Sequence, residues 1–340
     1  MDDLRPAGDP EPGASASGPG PPDGAAPPSR SRHRAWQWLS IVAMLVGAFL
    51  ALGAIGTAAA ARQDPSLGIE PRSLIPVLVA GAALLVLGCV LNALRALVVR
   101  RWLPANRYRG PSVLLLLLLA AIAAIGAGFF FPNDALVLTT GTGRLTLLGS
   151  LVLLTATQIS LLIAAGLLVF WPRALAGARL IEREGLGRAI LVGVGWGIPA
   201  WVVASLLAAL VSDLLSRAGI RAQPEVAQQV LSTANPFVAV LATVIIAPVA
   251  EEVFFRGVAL NAWTREYGAR RAIIGSALLF GLIHGSLIAI LPIFGLGLAL
   301  ALVYRRTANL ASAIALHATF NGISVALALL VRYDIIRLPT

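Results

Sequence analysis

The chain alternates between long apolar runs and short polar breaks. The runs fall at about Trp38–Ala61, Ile75–Val99, Ser112–Phe131, Leu147–Trp171, Ala189–Leu214, Phe237–Val258, Ala272–Ala289, Leu291–Tyr304 and Asn309–Val331. Most approach the ~20 apolar residues that a helix needs to cross a bilayer. They are continuous and do not alternate, which favours helices over the strands of a barrel. The pattern predicts an all-α, polytopic transmembrane helical bundle with about nine membrane helices. The eighth run is short for a full span and begins at Pro292, a residue suited to a first helical turn. Residues 1–34 are rich in Pro, Gly, Ala and Ser and cannot bury a core, so they read as a disordered cytoplasmic tail. No apolar stretch precedes the cluster Arg30, Arg32, His33 and Arg34, which argues against a cleaved signal peptide.

Composition sharpens this picture. Of the 340 residues, 58% are hydrophobic and 12% charged, whereas a soluble domain is nearer half apolar and a quarter charged. The net charge of +10 raises nucleic acid as a partner, but all 26 basic residues are arginines that flank the apolar runs. With the N-terminus inside, 19 of them fall on the cytoplasmic side and 7 outside. This bias predicts an N-in, multi-pass protein of the plasma membrane that binds no nucleic acid. Arg95 and Asp213 lie near helix ends, from which they can snorkel. Trp36, Trp38, Trp102, Trp171 and Tyr304 read as interfacial anchors. The single cysteine, Cys89, sits in an apolar run and reads as packing. Gly193 with Gly197, and Gly281 with Gly285, have the spacing that lets helices approach closely, and packing within the chain is the expectation.

The remaining polar residues are unevenly placed. Glu251, Glu252, Arg256, His284 and His317 all lie within the last four runs. A charge at the centre of a membrane helix costs on the order of 2.5–3.5 kcal/mol, so such groups pair with one another or do chemistry. Glu252 and Arg256 are four apart with the acid first, the favourable order for an ion pair. Glu251 points about 100° away round the helix and is left without a partner on its own segment. A lone carboxylate in low dielectric is a competent general base. His317 and Asn321 share one helical face and form a donor pair suited to a developing oxyanion. Phe280 and His284 share another face, where the ring can fix the imidazole. Counted from the cytoplasmic ends, Glu251, His317 and His284 lie roughly 10, 12 and 18 Å deep at 1.5 Å per residue. They are close enough in depth to meet around one water.

The set Glu-Glu-x-x-x-Arg, Phe-x-x-x-His and His-x-x-x-Asn, in order on successive apolar segments, resembles the CPBP intramembrane glutamic endopeptidases. That family includes the type II CAAX prenyl endopeptidases and bacterial abortive-infection relatives. The resemblance covers roughly residues 185–331, with 35–184 as N-terminal membrane helices outside it and 332–340 as a short tail. It implies peptide-bond hydrolysis by a water activated by Glu251 and His284, an oxyanion site of His317 and Asn321, and an architectural role for Glu252 and Arg256. It implies no obligatory metal; zinc, which one Glu and two His can ligate, is the less favoured reading. The expected partners are the bilayer and a membrane-associated or lipidated peptide or protein substrate.

Two other readings use the same polar cluster. A proton-coupled transporter would use it as a relay, but the internal repeats of many transporters are missing. A non-catalytic membrane scaffold would keep it for stability. No nucleotide-binding loop and no His-Glu-x-x-His motif occurs.

Overall fold

The computed structural model describes residues 30–63, 68–99, 107–130, 146–170, 180–219, 234–284 and 286–336. Among these residues every regular element is helical. Six helices are long and apolar enough to cross a membrane: Arg72–Val98, Leu147–Gly166, Leu186–Arg217, Pro236–Tyr267, Ile288–Thr307 and Leu310–Arg332. Nine spans and the N-in orientation go beyond this observation. Of the expected tail, residues 1–29 lie outside the described set, while Arg30–Arg34 already belong to the first helix.

The described residues fall into two compact units, divided between Leu118 and Leu119. The first contains α1 (Arg30–Gln63), α2 (Ile75–Val99) and the start of α3 (Val113–Phe130). Helices α1 and α2 touch backbone to backbone through glycines. A Cβ on Gly81 would lie 2.6 Å from the Ala51 nitrogen, and one on Gly88 would lie 2.7 Å from that of Met44. Cys89 packs beside the cluster of Ile41, Met44 and Leu115, as its apolar setting predicts. Arg95 departs from expectation. Rather than reaching for the surface it is buried, and its Nη2 donates to Gln37 Oε1 at 2.9 Å. The close α1–α2 contact accounts for this, because it lays polar positions of α1 over the end of α2. In the same layer Asn92 donates to Ser40 Oγ (2.9 Å) and accepts from the Ser112 backbone N–H (3.0 Å).

The second unit contains α4 (Leu147–Gly166), α5 (Leu186–Arg217), α6 (Pro236–Tyr267), α7 (Ala269–Leu282), α8 (Leu287–Thr307) and α9 (Leu310–Arg332). Helix α6 is central and meets α4, α7, α8 and α9. Asn235 starts it by accepting from the N–H groups of Phe237 and Val238, with Pro236 at the first helical position. Two stretches of α6, Leu241–Ile246 and Val253–Leu260, are wound as π-helix around the α-helical Ala247–Glu252. Such wide turns recur at functional sites. Gly193 and Gly197 of α5 seat α9: Cβ atoms there would strike Ser312 and Thr319. Their spacing thus serves packing within the chain. Gly281 sits under Ile290 and Phe294 of α8; its expected partner Gly285 lies outside the described residues.

Three details of the segment pattern change. The connection between the seventh and eighth helices falls at 283–286, earlier than the apolar runs indicate. Helix α7 therefore has only 14 residues, roughly 21 Å at 1.5 Å per residue, short of the ~30 Å hydrocarbon core. Helix α8, with 21 residues, is long enough to cross and carries Pro292 in its interior rather than at its start. The turn coincides with the short break His284-Gly285-Ser286, which is too brief to stand out between the apolar stretches that flank it. The sixth helix continues past Val258 to Tyr267, so Arg256 is an interior residue and not a flanking charge. Tyr304 is likewise buried, its hydroxyl accepting from Asn261 Nδ2 at 2.9 Å, and is no interfacial anchor. Trp102 and Trp171 lie outside the described residues.

The glycine seats give a direct check. Gly193→Ala forces α5 from α9 and costs roughly 1–3 kcal/mol, the usual range for overpacking. Gly195, two residues on with nothing within 4 Å of its would-be Cβ, is the control. Gly195→Ala leaves stability unchanged or raises it by up to about 1 kcal/mol through helix propensity. Denaturation midpoints of the two variants in detergent measure both.

Candidate active site

The α-helical turn Ala247–Glu252 carries the two adjacent acids, and ordinary α-winding turns them to different directions. Glu252 is fully buried. Its Oε1 accepts from Arg256 Nη1 at 2.8 Å and from His317 Nδ1 at 3.0 Å. A carboxylate only accepts, so the His317 Nδ1 carries the proton in that bond. This places the other ring nitrogen, Nε2, on the opposite side, 3.9 Å from Glu251 Oε2. The two neighbouring acids of α6 thus face the two nitrogens of a single imidazole on α9.

Arg256 is enclosed on every side. Its Nη2 donates to the Gly297 carbonyl of α8 at 3.1 Å, and its Cζ lies 4.6 Å from the centroid of the Phe280 ring. The second contact is a cation–π interaction in a desolvated setting. The expected i,i+4 pair with Glu252 is present, but the carboxylate also holds His317, which helical spacing alone does not reveal.

Phe280 joins the parts. Its ring meets His284 edge-on at 5.1 Å, His317 at 5.7 Å and Phe255 at 5.1 Å between centroids. Edge-to-face pairs of this kind are favourable beyond simple burial. His284 stands in the turn after α7, exposed, with Nδ1 2.7 Å from the Phe280 carbonyl. That carbonyl can only accept, so Nδ1 donates and the neutral ring keeps its lone pair on Nε2. Asn321 stands one turn beyond His317 and donates from Nδ2 to the Thr243 carbonyl of α6 at 2.9 Å.

Glu251 differs from its neighbour. Its side chain is 13% exposed against 0% for Glu252, and its Oε2, like that of Glu252, is buried with no hydrogen-bond partner. A buried acceptor left unmatched is costly, and its position beside an imidazole edge makes it a site for a water or a substrate group. Among the described residues no group of three or more His, Cys, Asp or Glu is disposed to hold a metal ion.

Sequence reasoning missed the two backbone partners, the Gly297 and Thr243 carbonyls, since any residue type supplies them. It also missed the Glu252–His317 contact. The only signal for that contact was the presence of two acids where one guanidinium had to be matched.

Removing Arg256 leaves a buried carboxylate held only by an imidazole. Arg256→Leu is expected to destabilise the protein by about 3–5 kcal/mol, as breaking a buried ion pair does. Glu251→Gln, which breaks no hydrogen bond, is expected to unfold at the wild-type midpoint. Denaturation followed by tryptophan fluorescence distinguishes the two.

Residues 233–323 match the family model described as Rce1-like, type II CAAX prenyl endopeptidase Rce1-like. This range lies inside the 185–331 of the sequence resemblance and contains Glu251, Glu252, Arg256, Phe280, His284, His317 and Asn321. The chain matches no curated protein and no solved structure.

Proposed function

Taking residues 233–323 as the Rce1-like CAAX endopeptidase domain that they match, we propose that the protein is an intramembrane endopeptidase of glutamate type. Its substrate is a membrane-associated or lipidated peptide, and it needs no metal. The supporting observation is the unpartnered Oε2 of Glu251 beside His317 Nε2. A water between α6 and α9 can give its proton to that oxygen while its own oxygen attacks the peptide carbonyl. His284, with Nδ1 committed to a backbone carbonyl, offers Nε2 as the second acceptor for the same water.

As the tetrahedral intermediate forms, charge collects on the carbonyl oxygen. His317 Nε2 and Asn321 Nδ2 are the donors assigned to it. Because Nδ1 of His317 already donates to Glu252, Nε2 takes that role, and it donates with the ring protonated on both nitrogens, as an imidazolium between the two acids. Collapse breaks the C–N bond, and the proton taken by Glu251 passes to the leaving amine. Water is thereby split, its hydroxyl to the new carboxyl and its proton to the new amine. Glu252 and Arg256 hold the imidazole and are not consumed. The polar cluster is sited in the multi-pass membrane part of the chain, where a lipid-anchored substrate can reach it laterally.

The test is cleavage by purified protein of a panel of prenylated, acylated and unmodified membrane-anchored peptides, with fragments read by mass spectrometry. Wild type is expected to cut lipidated members in the presence of a chelator. Glu251→Gln is expected to lose about 10²–10⁴ in rate, the scale of general-base catalysis. Cleavage by Glu251→Gln at the wild-type rate, or abolition of cleavage by the chelator, contradicts the proposal. A transporter or a scaffold would cut nothing.

A further inference from the structure

We propose that Pro248 is a positioning residue for Asn321: by withholding a backbone N–H from α6, it leaves the Thr243 carbonyl free to hold the carboxamide. This rests on the reading of Asn321 as an oxyanion donor. In the wide turn at Leu241–Ile246, bonds run from each N–H to the carbonyl five residues back. The last one observed is Ala247 N–H to Ala242 O. The next donor in that register, for Thr243 O, would be residue 248. Residue 248 is a buried proline and has no N–H. The α-helical alternative is also closed, since the Ala247 N–H that would serve Thr243 is already turned to Ala242.

A carbonyl inside a packed bundle and away from water needs a donor. The donor here is Asn321 Nδ2, 2.9 Å away on α9. A primary carboxamide nitrogen carries two N–H groups. One is spent on Thr243, which fixes the amide plane, and the second remains for the substrate oxygen. Helices α6 and α9 are also joined one turn earlier on α9, by Glu252 to His317. The two donors assigned to the oxyanion are therefore each held from α6, one by a side chain and one by a backbone group exposed by a proline. Pro292 of α8, another proline in a helix interior of this unit, has no such catch among the hydrogen bonds described here.

Selective labelling makes this testable. The chain has seven asparagines, and with 15N-asparagine the side-chain signals of Asn321 are identified by their loss in Asn321→Asp. In the wild type, one of the two Nδ2 protons is expected to be shifted downfield and protected from exchange. Pro248→Ala returns an N–H to the helix, and that proton is expected to move to the position of an unbonded carboxamide. Pro292→Ala, the control, leaves it in place. On any peptide that the wild type cuts, Pro248→Ala is expected to lower kcat by about 10²-fold, as small misplacements of catalytic groups do, with KM within about twofold. Its melting temperature stays at or above that of the wild type. Asn321 signals that do not move in Pro248→Ala overturn the proposal, as do kcat, KM and melting temperature that fall together. If Pro248→Ala does not fold, the wild-type spectrum decides: two Nδ2 protons both at the unbonded position overturn it. If the wild type cuts no peptide, the protease reading fails by itself, while the spectra still decide whether Pro248 sets Asn321.

Discussion

A carboxylate cannot be left alone among apolar helices, and the bundle of α6 to α9 is built around meeting that demand for Glu252. Arg256 supplies a guanidinium from the next turn, at 2.8 Å, and His317 supplies an N–H from α9, at 3.0 Å. The guanidinium is held in turn by the Gly297 carbonyl of α8 and the face of Phe280 on α7, while its Nε has no hydrogen-bond partner. Four helices are thus drawn together by the satisfaction of one buried charge. Removing Arg256 leaves a desolvated carboxylate, and breaking a buried pair in this way is strongly destabilising.

The consequence for chemistry is that His317 has one free edge. With Nδ1 fixed on Glu252, Nε2 faces Glu251, whose Oε2 has no hydrogen bond. Adjacent residues of one helix are therefore held differently. Oε1 of Glu252 accepts from both the guanidinium and the imidazole, whereas Glu251 meets the imidazole only at 3.9 Å. The contrast comes from the 100° turn between successive α-helical residues and from which side of α6 the imidazole enters.

Much of this was legible in the sequence. The apolar runs gave the helical, membrane-spanning class, and the i,i+4 spacing gave the Glu252–Arg256 pair and the shared face of Phe280 and His284. The Gly193–Gly197 spacing announced a close helix contact. Other features were not legible, for physical reasons. The turn that shortens α7 and lengthens α8 falls at His284-Gly285-Ser286, a polar break too short to stand out between the apolar stretches on either side. Arg95 and Tyr304 looked like residues for a membrane surface, because nothing in one dimension shows that Gln37 or Asn261 will lie across from them. The carbonyls of Thr243 and Gly297 carry no side-chain signature at all. The π-wound turns of α6 are equally silent, since the same residues serve an ordinary helix as well.

The central claim is that Glu252 and His317 share a hydrogen bond across two helices. Solid-state NMR on lipid-reconstituted protein tests it most directly. The sample carries 15N in histidine and 13C in the glutamate side-chain carboxyl groups, and His284 is replaced to leave His317 as the imidazole of the bundle. Dipolar dephasing between Nδ1 of His317 and a carboxylate carbon is expected at the strength of a direct hydrogen bond, to vanish in Glu252→Gln labelled only at glutamate. A His317 ring that shows no coupling to any glutamate carboxyl in the unsubstituted protein would contradict the account.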